Sequence, residues 1–285
     1  MVIVPVEFNN KKITITCDNW LYKSIQTIKQ NVHKKDKDRV TVVDGAEGGG
    51  KSVFAMQYGK LLDPTLCLDR ICFNPKEFHD AVVKAKKGQC VIYDEAFTGL
   101  SSRSSLAEVN RSLVSLMMEM RQKNLFVIIV MPTIFLLDKY AALWRAKELF
   151  HIYTKDGKRG RWVYFNHKKK KLLYMTGRKY YEYNFPKSKR RGKFKDTYVI
   201  DELEYRAKKS DSLKNKSKIT KSENFKKQRD VLFNLLNRKY GIPQLDISKA
   251  CRKFGFVISR NRISELVAEI DKKYPPDTSN ESKTQ

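Results

Sequence analysis

Apolar and polar positions alternate with period two over Val2–Phe8 and again over Lys12–Cys17, with Asn9-Asn10 between the two runs. That pattern predicts a β-hairpin. From Trp20 to Val32 the spacing changes. Leu21, Ile25, Ile28 and Val32 recur at three- and four-residue intervals behind Asp18, which predicts a capped amphipathic helix. The β-branched run that begins at Arg39 predicts a buried strand. Ser52–Leu62 predicts a helix, Thr65–Leu68 a short strand, and Phe73-Asn74-Pro75 opens a helix through Lys87. Gln89–Tyr93 is a second buried strand. Residues 105–123 carry Leu106, Val109, Leu113, Leu116, Met117 and Met120 at helical spacing, and Leu125–Met131 is a continuous apolar strand stopped by Pro132. Strands alternating with helices at these intervals predict an α/β fold with a parallel sheet between two helical layers.

After residue 150 the texture changes. Phe150–Thr154, Arg161–Asn166, Lys171–Met175 and Tyr180–Tyr183 are short aromatic and β-branched runs, separated by Asp-Gly, a lysine run and Gly-Arg. They predict a β-meander. Residues 201–224 are charged, serine-rich and poor in large apolar groups, as a linker would be. Phe225, Val231, Leu232, Leu235 and Leu236 then mark a helix over 224–240, ended by Gly241-Ile242-Pro243. A short helix follows over 245–254, a turn at Gly255–Ile258, and a helix from Arg260 to Ile270 capped by Ser259. Residues 273–285 have the composition of a disordered tail.

Charge adds a partner to this picture. The 285 residues carry a formal net charge of +27, far beyond what solubility requires, so the expected partner is a polyanion. A basic chain can also be drawn to a membrane surface. No apolar stretch approaches the ~20 residues of a spanning helix, however, and the first residues have a strand pattern rather than that of a signal peptide. DNA is therefore the expected partner. The five cysteines are scattered without metal-ligand spacing and are expected as reduced core thiols of a cytoplasmic protein.

The chemistry is concentrated in two places. Gly45, Gly50, Lys51 and Ser52 complete the pattern G-x-x-x-x-G-K-[ST], with Ala46, Glu47, Gly48 and Gly49 between them. Glycines let successive backbone N–H groups turn toward phosphate oxygens, and the helix that follows presents its positive end. Lys51 is placed to reach the β- and γ-phosphates, and the Ser52 hydroxyl to ligate Mg²⁺. About forty residues on, the apolar run Cys90–Tyr93 ends in Asp94-Glu95. Asp94 is expected to hold the Mg²⁺ shell and Glu95 to orient or deprotonate the attacking water. A second acid beside the first argues for hydrolysis of ATP over transfer to a small acceptor.

Around these two motifs the segment 39–155 resembles the ATPase core of the FtsK–HerA group of DNA motors and of the zonular-occludens-toxin-like phage proteins. The residues carrying the resemblance are Arg121-Gln122-Lys123-Asn124 before a buried strand, Met131-Pro132-Thr133 at its end, then Leu137-Asp138-Lys139-Tyr140 and Leu143-Trp144-Arg145. The resemblance implies that Thr133 senses the γ-phosphate, although the family often has glutamine nearby. It further implies that Arg145, or failing that Arg121, serves a neighbouring subunit of a homo-oligomer as an arginine finger.

Two further regions are expected to meet DNA. The turns of the meander are crowded with lysine and arginine, Arg161 and Lys169 among them, and aromatics interleaved with cations can stack on bases while the cations track phosphates. A solvated edge strand guarded by lysines would have the same composition. The last two helices, the second opening with Arg260, Asn261 and Arg262, resemble a helix-turn-helix module whose first recognition residues lie against base edges. The expected organisation is an N-terminal hairpin and helix (1–38), a P-loop ATPase core (39–155), a basic β extension (156–200), a linker (201–224), a helix-turn-helix module (225–272) and a tail (273–285). The first expected function is an oligomeric, ATP-driven DNA motor of a phage, virus or mobile element. The alternatives are an AAA+-like initiator or transposition helper that uses ATP as an assembly switch, and a DNA-binding regulator whose nucleotide gates assembly.

Overall fold

The computed structural model describes residues 1–8, 11–94, 110, 111, 113–118, 120–216 and 221–273. It divides into two compact units, Met1–Leu213 and Lys214–Gln285.

The first unit is built on a seven-stranded sheet. Its strands are β3 (Arg39–Gly45), β4 (Ile71–Cys72), β5 (Cys90–Tyr93), β6 (Phe126–Val130), β7 (Ala146–Lys155), β8 (Lys158–Asn166) and β9 (Arg191–Lys193), in the order β4-β5-β6-β3-β7-β8-β9. The first five in that order run parallel, and β8 and β9 are added antiparallel at one side. A separate hairpin of β1 (Val2–Phe8) and β2 (Lys11–Cys17) precedes helix α1 (Asn19–Lys34), whose N-terminus is capped by the Asp18 side chain accepting from Trp20 N and Leu21 N.

Both faces of the parallel part of the sheet are covered, so its central strands are largely apolar and their side chains alternate between two cores. On β6, Phe126, Ile128 and Val130 enter one core with Ile25 of α1 and with Val53 and Phe54 of α2 (Lys51–Leu62). Val127 and Ile129 enter the other with Phe78 of α3 (Pro75–Lys84), Met117, and Leu173 of α4 (His167–Gly177). The mixed α/β architecture with a mostly parallel sheet between helical layers is thus present. Among the described residues no helix is long and apolar enough to cross a membrane.

Most buried polar side chains of this unit are paired, as burial requires, the Ser212 hydroxyl being an exception among the described residues. Glu148 on β7 lies fully inside and accepts from Arg39, Thr41 and Tyr58. Burial alone would raise its carboxyl; the Arg39 charge and these donors hold it below its ordinary range. Cys17, Cys72 and Cys90 are core thiols, the first two pushed up to about 12 by burial, whereas Cys67 is exposed and Cys251 half-buried, contrary to a uniform set of core cysteines.

Several expected elements differ. The strand expected over Thr65–Leu68 forms two residues of sheet at Ile71–Cys72 instead, after a 3-10 turn at Leu68–Arg70. The four-run meander is not present. Only β7 and β8 are long strands, and Lys171–Met175 lies in α4, whose N-terminus the Asn166 side chain caps by accepting from Lys169 N. Three of the aromatics expected to stack on bases are core, since Phe150, Trp162 and Phe165 are each at most 3% exposed, whereas Tyr180 and Tyr181 are exposed. The expected linker is helical, as α5 (Glu202–Lys216).

The second unit contains α6 (Lys221–Arg238), α7 (Gln244–Lys253) and α8 (Arg260–Lys273). Phe233, Ile247, Ile263, Leu266 and Val267 form its core, and the Asn234 amide donates to Val267 O and Asp271. On α6 the buried position is Phe233, while Phe225, Val231, Leu232 and Leu235 are exposed. Six residues, 254–259, join α7 to α8, which is longer than the three or four of a simple helix-turn-helix turn.

Candidate functional site

The glycine loop leaves the carboxyl end of β3, the fourth of the five parallel strands and the middle strand of the whole sheet. Gly45 ends that strand with φ +139°, and a Cβ there would lie 2.0 Å from the carbonyl oxygen of Ile152 on β7. Only glycine lets the turn leave the sheet so close to its neighbour. Gly45 N donates to Pro132 O at 3.1 Å, which ties the first turn of the loop to the end of β6. Residues 46–50 then curl into α2, and the Lys51 ammonium folds back to donate to Gly45 O at 2.8 Å and Ala46 O at 2.9 Å. Burial pulls that ammonium down from its ordinary value, opposed by the carboxylates of Asp44, Asp94 and Glu47.

β6 lies between β3 and β5, so the ends of all three strands meet on one edge of the sheet. Asp94 follows β5 and is 1% exposed; its N–H donates to Cys72 O at 2.8 Å. Its Oδ1 accepts from the Ser52 hydroxyl at 3.1 Å. Its Oδ2 accepts from the phenol of Tyr205, on the first turns of α5. The two residues expected as Mg²⁺ ligands are therefore in direct contact across 42 positions of sequence. Glu95 lies outside the described residues.

These groups open into a cleft of about 560 Å³. Its floor is Gly48–Val53 with Asp94, and one wall is Val130–Pro132. The other walls come from segments that the sequence did not assign to the site. Arg159 and Gly160 come from the β7–β8 hairpin, Phe194, Asp196 and Tyr198 from the strap after β9, and Tyr205, Arg206 and Lys209 from α5. The strap is held by Gln57 on α2, whose side-chain amide donates to Lys195 O and Thr197 O, both at 2.7 Å. Phe194 packs its ring against Phe54 with centroids 5.2 Å apart.

A buried network stands behind the loop. Asp44, wholly buried, accepts from Ile134 N at 2.8 Å and from the Tyr183 phenol, and His151 Nδ1 lies 2.8 Å from its other oxygen. Burial, then the Asp44 charge, pushes the Tyr183 phenol well above its ordinary range. Since Tyr183 gives its proton to Asp44, the Thr133 hydroxyl is the donor in the 2.8 Å contact between Thr133 and Tyr183. Thr133 is thus committed to this network and is not among the cleft-lining side chains.

The remaining expected site residues lie elsewhere. Arg145 precedes β7 at the opposite, amino end of the sheet, where it is nearly buried and ion-paired with Asp38. That pairing and position set Arg145 apart from the P-loop end of this subunit. Arg121, in a 3-10 turn before β6, is likewise at the amino end. Arg161 is half-buried on β8, and the Lys169 ammonium donates to Lys187 O. Arg260, Asn261 and Arg262 are exposed on the first turn of α8. Ser259 Oγ accepts from Arg262 N at 3.2 Å, and the Arg262 guanidinium pairs with Glu265.

No protein-family model matches the sequence, and no curated protein matches it. Among solved structures the chain is similar to the N-terminal domain of zonular occludens toxin from Neisseria meningitidis, at 14% identity and a TM-score of 0.29, over 46% of this chain and 84% of that one. The site described above rests on this chain's own geometry.

Proposed function

We propose that this protein binds and hydrolyses ATP at the cleft around Lys51, Ser52 and Asp94, and that it does so on DNA. The observation that carries the reading is the Ser52–Asp94 contact at 3.1 Å, immediately beside a glycine loop closed by its own lysine. A hydroxyl and a carboxylate sharing one proton beside a cationic loop are the oxygen donors that a hard cation such as Mg²⁺ prefers. The glycine loop also leaves N–H groups and one ammonium for phosphate oxygens. The residues fit the group: Ser52 and Asp94 would hold Mg²⁺, and Lys51 would exchange its carbonyl partners for phosphate. Held there, Mg²⁺ would neutralise phosphate charge. Glu95, next in the chain to Asp94, is the proposed base for water.

The DNA partner is supported by the +27 charge and by three exposed polar side chains, Arg260, Asn261 and Arg262, at a helix start. In this reading the C-terminal unit is the DNA-reading module. The protein works as a homo-oligomeric motor in packaging, transfer or replication of a phage or mobile element, as the resemblance of residues 39–155 implies.

The deciding experiment titrates a fluorescent ATP analogue into the protein and into Lys51→Ala, then follows phosphate release with and without single- and double-stranded DNA. Parent binding that Lys51→Ala abolishes, with turnover stimulated by DNA, is expected. A parent that binds no nucleotide overturns the proposal.

A further inference from the structure

Arg159 is a cation over the glycine loop that lies outside the two motifs. It is the second residue of the return strand of the β7–β8 hairpin, and its guanidinium Nη2 lies 3.9 Å from where a Cβ on Gly48 would stand. It lines the same cleft as Lys51, Ser52 and Asp94. Arg39, Arg70, Arg145 and Arg206 each pair with a carboxylate, respectively Glu148, Asp63, Asp38 and Glu202. Among the described residues Arg159 has no such partner.

The backbone around it is fixed. Asp156 and Gly157 both have positive φ and close a tight hairpin turn. Gly160, with φ +81°, accepts from Phe194 N at 2.8 Å, and a Cβ on it would meet Phe194 O at 2.5 Å. Glycine is required there so that the strap can lie against β8, and this clamps the residue next to Arg159. The guanidinium therefore stands on a held strand rather than on a free loop tip. Lys51 and Arg159 face one cleft together with Arg206 and Lys209 of α5, and like charges so placed favour an anion between them.

We infer that Arg159 contacts the terminal phosphate of a bound nucleoside triphosphate, in cis, and so neutralises charge there. This rests on the nucleotide site proposed above. A guanidinium presents several N–H donors in a fixed fork that suits phosphate oxygens. Its placement over the Gly48 side of the loop gives discrimination by phosphate number: a triphosphate brings an anionic oxygen set that a diphosphate lacks.

The test measures dissociation constants for a non-hydrolysable ATP analogue and for ADP, with the intact chain and with Arg159→Ala, Arg159→Lys and Lys51→Ala. Arg159 is exposed, so its replacement leaves the fold intact, which the thermal midpoint checks. Arg159→Ala is expected to weaken the triphosphate analogue about 10- to 100-fold, the range for a charged hydrogen bond, and to leave ADP within about 2-fold. Arg159→Lys should recover part of the loss, since charge remains but the fork does not. Equal weakening of both nucleotides, or no change in either, overturns the assignment of Arg159 while leaving the site itself standing. Should the parent bind neither nucleotide, the site reading falls and this inference with it.

Discussion

Tyr205 and Ser52 hold the two oxygens of Asp94 from opposite sides, the phenol on Oδ2 and the hydroxyl on Oδ1. The carboxylate's plane is therefore fixed by α5 as well as by the P-loop. A donor on the far oxygen orients the near one toward a metal, as outer donors do at metal sites in general. Tyr205→Phe should raise the Mg²⁺ concentration for half-maximal nucleotide binding by about 10-fold. Isothermal titration at several Mg²⁺ concentrations measures it, with the thermal midpoint as a control for folding. An unchanged Mg²⁺ requirement would mean that the phenol only fills space.

In the proposed function, hydrolysis, as distinct from binding, depends on Glu95. Glu95→Gln should retain ATP affinity while single-turnover phosphate release falls about 10²- to 10⁴-fold, the usual contribution of general-base catalysis. Rapid quench with radiolabelled ATP gives both quantities. Turnover at the parent rate would remove Glu95 from the mechanism.

Lys170 supplies a pH-dependent prediction. Its ammonium is wholly buried on α4 and donates to Ala142 O; burial, then Lys171 and Lys147, brings it down to about 7 from 10.5. Between those values the unfolded chain holds a proton that the folded chain has released, so stability rises with pH across that window. The penalty of the buried charge is complete below about 7 and gone above about 10.5. Lys170→Met should thus be more stable than the parent at pH 6.5, and the gap should narrow steadily toward pH 10. Urea denaturation at five pH values reads the difference. A gap that does not change with pH refutes a titrating Lys170.

The C-terminal unit predicts a split between affinity and selectivity. Replacing Arg260 and Arg262 together by alanine should abolish any preference among duplex sequences, each base contact being worth about 1–3 kcal/mol. Non-specific binding should fall less and keep a steep salt dependence, about −0.9 in log–log slope per neutralised phosphate. Competition binding at fixed salt, then across salt, separates the two. A parent without sequence preference would make this unit a protein-contact element.

The site's floor was legible because it is local. A glycine loop, a lysine and a hydroxyl within eight consecutive residues need a single backbone conformation, and the run ending at Asp94 could only be a buried strand. The walls other than Val130–Pro132 were not legible, because they arrive from 100 or more positions away. The stretch 201–224 has too few apolar residues to signal a core helix, and α5 buries little beyond Tyr205 and Ser212. A readable sign was present nonetheless: Asp201 caps the helix by accepting from Leu203 N and Glu204 N, and Glu202 pairs with Arg206 one turn on. At α4 the run Leu172–Met175 imitated a strand. Asn166, placed as a cap, and Gly177 at the end were the better guide. Arg145 was assigned from its order in the chain, which carries no information about which end of a strand a side chain occupies.

Gln57 gives the cleft an unexpected demand on chain length. Its two bonds to the strap mean that the helix following the P-loop is finished by residues 195 and 197, some 140 positions later. A fragment ending at residue 155 would keep every signature motif and still lack the strap, the Arg159 hairpin strand and the Tyr205 phenol. Such a fragment should be expressed as a P-loop without a pocket. The shortest piece able to hold a nucleotide runs through α5, and deletion scanning from the C-terminus should find tolerance down to about residue 214 and an abrupt loss of nucleotide binding before residue 205.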